Sequence, residues 1–325
     1  MRDPAWKKHQ IKKKWQNIVS VFITVTLLFA IVNGLAKGFS LKNQLASSKW
    51  DGKSAFVIAL NSKNPSLFIY QPDPKKAVVL TVSGNALYET GKMHTPLEKI
   101  GDSLNSGDNI TYALSHAYGA KIENYLTFKD EYEMDKDFSR NLFVNFASIS
   151  TPIKLLTLGW GEKIKSTNIT RIDAFRLWWQ IKSIRVEELS LVDLSAYTHE
   201  IIASNNQKVL GADTISLNRV IAKYLENLKV VSENKKIKIQ NGSNNIQAAK
   251  LAASFAGSIG GKVVEVGGSD FNYPKTQIIA QDKNSYTANY LAKIFNCDIN
   301  GAQNSESDNQ ITVVVGSDFA SSYFE

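Results

Sequence analysis

The chain has 325 residues and a formal net charge of +8, long enough for one or two globular domains beside a membrane segment. Arg2, Lys7, Lys8, Lys12, Lys13 and Lys14 set against Asp3 account for +5 of that charge, and the +3 left for everything after Lys14 argues against a nucleic-acid footprint on the main body. The single cysteine, Cys297, excludes an intramolecular disulfide, which for an exported protein suits a bacterial envelope better than a disulfide-rich secretory route.

The basic head, residues 1–16, leads into Asn17 to Ala36, NIVSVFITVTLLFAIVNGLA, an uncharged run that matches the roughly 20 residues needed to cross hydrocarbon as a helix. Ser20, Thr24 and Thr26 can return hydrogen bonds to the helix's own carbonyls, so no charge is buried. Lysines ahead of a first span stay cytoplasmic. The pattern therefore predicts a single-pass anchor over 17–36, amino terminus inside, with the lipid bilayer as a partner and the main body outside. A cleavable signal peptide is the competing reading, because Gly34-Leu35-Ala36 is a small-x-small pattern. Against it, the apolar run exceeds the ~7–15 residues of a signal core, and Trp15 stands where an interfacial aromatic would.

Residues 37–53 are polar and aperiodic, as a tether should be. Ala55 to Leu60, Leu67 to Tyr70 and Ala77 to Val82 read as strands, the last two joined by Gln71-Pro72-Asp73-Pro74-Lys75. Pro96 to Tyr118 spaces Leu97, Ile100, Leu104, Ile110, Leu114 and Ala117 as a helix or a pair of helices would. Tyr125 to Phe128 reads as a strand, and Lys129 to Arg140 as a solvated charged segment without a site. Thr170 can cap a helix over 171–184 whose apolar face holds Ile172, Phe175, Trp178, Trp179 and Ile181, the tryptophans reading as core rather than as a sugar-stacking platform. Val186 to Leu194 reads as a strand, Thr214 to Leu228 as an amphipathic helix, and residues 230–236 as a polar boundary.

Beyond that boundary the order is clearest. Lys236 to Gln240 alternates as a strand, Asn241-Gly242-Ser243 turns, Asn245 to Ser258 is an alanine-rich helix, and Gly260-Gly261 stops it. Val263 to Val266 and Thr276 to Ala280 follow as strands, Ser285 to Phe295 as a helix and Ile311 to Val315 as the last strand, a β-α-β-β-α-β order of the split βαβ kind.

That segment, from the strand into Asn241-Gly242-Ser243 through the small-residue helix and the glycine turn to Val315-Gly316-Ser317-Asp318-Phe319, resembles the C-terminal domain carried by many LytR–CpsA–Psr proteins. Within the preceding stretch, Tyr118-Gly119-Ala120-Lys121-Ile122-Glu123-Asn124-Tyr125 and Thr167-Asn168-Ile169-Thr170 are similar to passages of the family's main domain. The resemblance implies an α/β protein with an N-terminal transmembrane helix, a divergent main α/β domain over 54–231 and a small C-terminal α+β domain over 236–319. Family members with an intact site are thought to transfer lipid-linked polymers onto peptidoglycan, holding polyprenyl pyrophosphate with arginines and a magnesium ion kept by aspartates. Here the match fails at the chemistry. Val82-Ser83-Gly84-Asn85 stands where the family usually has Pro-Arg-Asp, and Ser54-Ala55-Phe56 opens the first strand without an aspartate. A pyrophosphate needs guanidinium groups or a metal to meet its charge. Of the arginines, Arg140, Arg171 and Arg176 are the candidates for a relocated site, although Arg171 and Arg176 are five apart and share no helix face.

Other chemistries leave less. His9, His94, His116 and His199 have no metal-ligand spacing. Gly257 to Gly261 lacks the lysine of a phosphate loop, Asn241-Gly242-Ser243 reads as a plain strand-to-helix turn rather than an anion site, no serine lies in a nucleophile elbow, and Cys297 reads as a small buried hydrophobe. The expectation is an envelope protein with no assigned catalytic, cofactor or metal residue, binding or scaffolding in wall assembly, with peptidoglycan or wall glycopolymer as its partner class and no nucleic acid. The alternative is a transferase with a rebuilt pyrophosphate site.

Overall fold

The computed structural model describes residues 48, 50–90, 97–157, 163–202, 208–301 and 309–324, of which Trp50 onward forms one unit. The expected head and anchor, residues 1–36, lie outside the described residues. Among the described residues no helix is long and apolar enough to cross a membrane.

The unit is built on a six-stranded mixed sheet in the order β7-β6-β1-β2-β3-β8. Its centre is the antiparallel meander β1 (Phe56–Asn61), β2 (Ser66–Pro72) and β3 (Lys75–Thr81). β6 (Asn124–Phe128) adds parallel to β1, β8 (Leu189–Asp193) adds parallel to β3, and β7 (Ile164–Thr167) closes one edge antiparallel to β6. The near-continuous apolar run of β1 follows from burial on both faces: Val57 and Ala59 point into one core, Phe56, Ile58 and Leu60 into another.

The first core is covered by α1 (Gly107–Tyr118) and, further along the chain, α5 (Thr214–Leu225). Ser106 caps α1, its hydroxyl accepting from the Asn109 amide at 3.1 Å, and a 3-10 turn, Ile100–Asn105, precedes it. The stretch 96–118, expected as a helix or a pair of helices, is thus a short strand, β5 (Leu97–Lys99), the 3-10 turn and one helix. β5 belongs to a second sheet, β5-β4-β10-β9, with β4 (Leu87–Glu89), β9 (Thr198–Ile202) and β10 (Lys208–Ala212). The second core lies under α2 (Lys136–Ala147), α3 (Thr151–Thr157) and α4 (Arg171–Ile181). The segment Lys129 to Arg140, expected to be only a charged surface, therefore opens a core helix. Val186 to Leu194 divides into a 3-10 turn and β8, because Glu188 folds back to accept from the Arg185 amide.

A short helix, α6 (Leu228–Glu233), leads into the third core. β11 (Lys236–Asn241), α7 (Gln247–Ser258), β12 (Lys262–Gly268), β13 (Gln277–Ala280), α8 (Tyr286–Phe295) and β15 (Gln310–Val315) appear in the expected order. Gly260, at φ +86°, lets the chain leave α7 in a left-handed conformation that a side chain would strain. Two elements extend that order. β14 (Asp298–Gly301) adds an edge to a sheet ordered β12-β11-β15-β13-β14, and α9 (Ser317–Phe324) follows the last strand. α9 reaches back to α1: the buried His116 ring has Nε2 2.8 Å from the Tyr323 carbonyl oxygen, an acceptor, and stands edge-on to Phe324 at 5.2 Å.

Candidate ligand-binding cavity

The second core does not close on itself. Between the sheet and α2–α4 lies a cavity of about 430 Å³, within the ~300–1,000 Å³ range of ligand pockets. Ile58, Leu60, Phe68, Val79, Leu126, Ile164 and Leu189 form its floor from all six strands of the sheet. Phe138, Leu142, Phe143 and Phe146 wall it from α2, Leu155 from α3, and Leu177 and Ile181 from α4.

Local chemistry fixes the helical wall. Asp135 caps α2, its carboxylate accepting from the Phe138 amide at 2.7 Å, and Thr151 Oγ1 donates to the Asn145 carbonyl at 3.0 Å, pinning α3 to the end of α2. Trp178 Nε1 donates to the Ser148 carbonyl at 2.8 Å, tying α4 to the turn between them. Thr170 Oγ1 accepts from the Asp173 amide at 3.0 Å, so the expected cap starts α4, which ends at Ile181 rather than at 184.

The cavity's polarity is one-sided. Asn141, Asn145, Lys154 and Lys163 line it and are solvent-exposed, which puts its mouth among them. No carboxylate occurs among the described residues that line it. Ser139 is 4% exposed, also lines it, and its hydroxyl has no hydrogen-bond partner among the described residues. An apolar bore with amines at the mouth suits an amphiphile: an apolar chain inside and a polar or anionic head outside.

The residues singled out in the sequence are not gathered there. Arg140 lies on α2 and Arg171 is exposed at the start of α4, and neither lines the cavity. Arg176 donates to the Trp50 carbonyl and lies 3.7 Å from Asp173 Oδ1, a structural clasp on the incoming chain. Trp50 and Gly52, within the expected tether, are bound into the unit: the Trp50 amide donates to Asp173 Oδ1 at 3.3 Å and Gln180 Nε2 to the Gly52 carbonyl at 2.8 Å. Trp178 is core, as expected, whereas Trp179 is 58% exposed. The signal for the cavity was present in the spacing of Phe138, Leu142, Phe143 and Phe146, one helical face that the neighbouring charges obscured.

Where the family motif would stand, the chain makes a closed turn. The Ala86 amide donates to the Ser83 carbonyl at 3.1 Å, the Gly101 amide to the Gly84 carbonyl at 2.8 Å and the Ile100 amide to the Ala86 carbonyl at 2.9 Å. A Cβ on Gly101 would stand 2.8 Å from the Gly84 oxygen, so the two backbones touch.

The remaining candidates are occupied structurally. Asn241 Oδ1 accepts from the Ser243 amide and hydroxyl at 3.0 and 2.8 Å, and Asn245 Oδ1 accepts from the Gln247 amide at 2.8 Å, so the Asn241-Gly242-Ser243 turn uses its polar groups on itself and on α7. His199 is exposed on β9, apart from the buried His116 on α1, and His9 and His94 lie outside the described residues. Among the described residues no group of three or more His, Cys, Asp or Glu is placed to hold a metal. Cys297 is half-buried, and burial first, with Asp318 and Asp298, pushes its thiol up to about 12, leaving it protonated and unreactive at neutral pH.

Residues 234–319 match the family described as LytR cell envelope-related transcriptional attenuator. The chain thus carries a LytR-type C-terminal domain and is related through it to the LytR–CpsA–Psr cell-envelope proteins. Among solved structures it is similar to Bacillus subtilis TagV at 14% identity over 52% of this chain and 94% of that one, TM-score 0.39. TagU of the same organism is similar at 12% identity over 54% and 98%, TM-score 0.38, and TagT at 12% over 53% and 89%, TM-score 0.35. No curated protein sequence matches the chain.

Proposed function

We propose that the chain is a single-pass envelope protein, anchored by residues 17–36 with its amino terminus in the cytoplasm, whose extracytoplasmic unit holds the apolar chain of a lipid-linked wall precursor without transferring it. The observation that carries this reading is the cavity of about 430 Å³, whose bore is apolar apart from the Ser139 and Thr151 side chains and which is bordered by Lys154 and Lys163. The closed turn at Ser83 to Ala86 supports binding without pyrophosphate chemistry, since the backbone there is spent on the Gly84–Gly101 contact and offers neither arginine nor aspartate. Holding a lipid-linked polymer while another protein acts on it is the scaffolding role that these features fit.

The test is thermal unfolding of the full chain in detergent with polyprenol, polyprenyl phosphate and polyprenyl pyrophosphate, each with and without magnesium. Binding to the folded state alone raises stability by mass action, about 2.7 kcal/mol at a hundredfold excess over Kd. The expected result is a raised midpoint with all three, unchanged by magnesium, no release of pyrophosphate, and loss of the shift in Leu177→Trp. A second reading, transfer with a rebuilt anion site, draws on the two lysines at the mouth. A shift confined to the pyrophosphate with magnesium, accompanied by its release, would replace the first reading with the second.

A further inference from the structure

The helices that wall the cavity carry an unusual outer surface. On α4 and its C-cap the exposed positions Arg171, Phe175, Trp179 and Lys182 recur at intervals of four, four and three, so one helical stripe presents a cation, two aromatics and a cation. Phe175 is 45% and Trp179 58% exposed, and the Lys182 amine sits 3.3 Å above the Trp179 ring. Beside α4, Ile149 in the α2–α3 turn is 88% exposed and Ile153 on α3 is 64% exposed. Single exposed apolar residues are ordinary; aromatic and branched side chains collected on adjacent elements are not.

The charges within the two stretches that carry these residues are mostly of one sign. Residues 138–157 contain Arg140 and Lys154 and no acid, and residues 171–186 contain Arg171, Arg176, Lys182 and Arg185 against one acid, Asp173. Asp173 is 4% exposed and faces inward, onto Thr170, Trp50 and Arg176. A face of aromatic and branched residues on two helices whose exposed charges are cations, the nearest acids in sequence being Glu187 and Glu188 beyond α4 and Asp135 and Asp137 at the start of α2, matches the interface of an anionic lipid leaflet, where amphipathic rings sit at headgroup level and lysine or arginine meets the phosphates.

The course of the chain supports the same partner. Trp50 and Gly52 are fastened to α4 by Asp173, Arg176 and Gln180. Thirteen residues, 37–49, separate that clasp from the end of the expected anchor at Ala36, a reach of at most ~3.6 Å per residue. We infer that the outer face of α3 and α4, centred on Phe175 and Trp179, docks on an anionic phospholipid surface. The wall of the cavity then lies against the medium from which an apolar chain would come. This inference rests on the proposed envelope location but not on what fills the cavity.

The test uses the full chain, with Cys297→Ser and Ile149→Cys, labelled at residue 149 with a nitrobenzoxadiazole dye and reconstituted in vesicles of phosphatidylethanolamine and phosphatidylglycerol. The expected result is dye emission at shorter wavelength than in water and quenching by lipids brominated on their acyl chains. Both effects should weaken in phosphatidylcholine vesicles and in the added double variant Arg171→Glu, Lys182→Glu, while a dye placed by Ile202→Cys, on β9, keeps its aqueous emission throughout. Aqueous emission at residue 149 in every vesicle would overturn the proposal, as would an equal response in phosphatidylcholine. A concentration-dependent shift in detergent, without vesicles, would assign the face to a second copy of the chain and also overturn it. In the unlabelled chain, Trp179→Gln should remove a quenched component of tryptophan emission; no loss counts against docking. Because lipid binding inside the cavity is read separately by thermal unfolding in detergent, failure of the docking face and failure of the cavity reading are told apart.

Discussion

The Ser139 hydroxyl faces the cavity without a hydrogen-bond partner among the described residues. An unmet buried hydroxyl costs its desolvation, so Ser139→Ala should stabilise the ligand-free chain by about 1 kcal/mol, read as a higher urea midpoint at unchanged slope. Glu233 is the opposite case. Its carboxylate accepts from the Thr287 amide at 2.7 Å, the Tyr286 amide at 2.8 Å and the Ser285 hydroxyl at 2.9 Å, so the last residue of α6 caps the first turn of α8. Burial works against its charge, and these hydrogen bonds outweigh it, holding the carboxyl below its ordinary value of 4.5. A lowered folded-state pKa gives stability that is full above the unfolded value and is lost as pH falls through the folded one. Glu233→Gln should therefore cost about 1 kcal/mol at neutral pH, and the two proteins should converge under acid conditions, as urea unfolding across a pH series would record.

Among the elements, α2 has the largest effect on the cavity, and Phe143 is its most enclosed aromatic at 5% exposure. Phe143→Ala should destabilise by about 3–5 kcal/mol, because the site is already hollow and has little to collapse onto. Thr170→Ala, which uncaps α4, should cost only about 1 kcal/mol. Chemical denaturation separates the two.

The same elements explain what the sequence disclosed. β1 to β3 were readable because burial on both faces makes an apolar run, and α7 and α8 because a polar turn or cap starts each and a left-handed residue follows its end, Gly260 and Asn296. α2 was not, since Lys129 to Asp137 carry its charges into the first turn while its apolar residues come later. β9 and β10 escaped because they are poorly buried, Ile202 being 74% exposed, and leave no alternation to read. The cavity, built by six strands and three helices far apart in sequence, has no local signature. The missing arginine and aspartate after β3 were legible, and the Gly84–Gly101 contact supplies their physical counterpart.

The whole unit is joined by α9. His116 is enclosed by Tyr112 at 4.6 Å, Phe324 at 5.2 Å and the Tyr323 carbonyl, so the end of the C-terminal domain is seated in the first core's covering helix. Asn227 Nδ2 adds a bond to the Tyr286 hydroxyl at 2.9 Å, and Lys293 an ion pair with Asp51 at 3.3 Å. Calorimetry of the full chain in detergent should show one unfolding transition for this unit, and Phe324→Ser should resolve it into two.

The clasp at Trp50 also determines how the protein carries load. Tension applied to the chain ahead of Trp50 divides between α4, through Asp173, Arg176 and Gln180, and the sheet, where the Trp50 ring packs on Phe56 of β1 at 4.7 Å and edge-on to Tyr70 of β2 at 6.2 Å. Leu177 and Ile181, between and beyond those side chains, line the cavity. A pull on the amino-terminal side is therefore felt at the cavity wall as well as at β1 and β2, so that load on the chain and the shape of the cavity are coupled through α4.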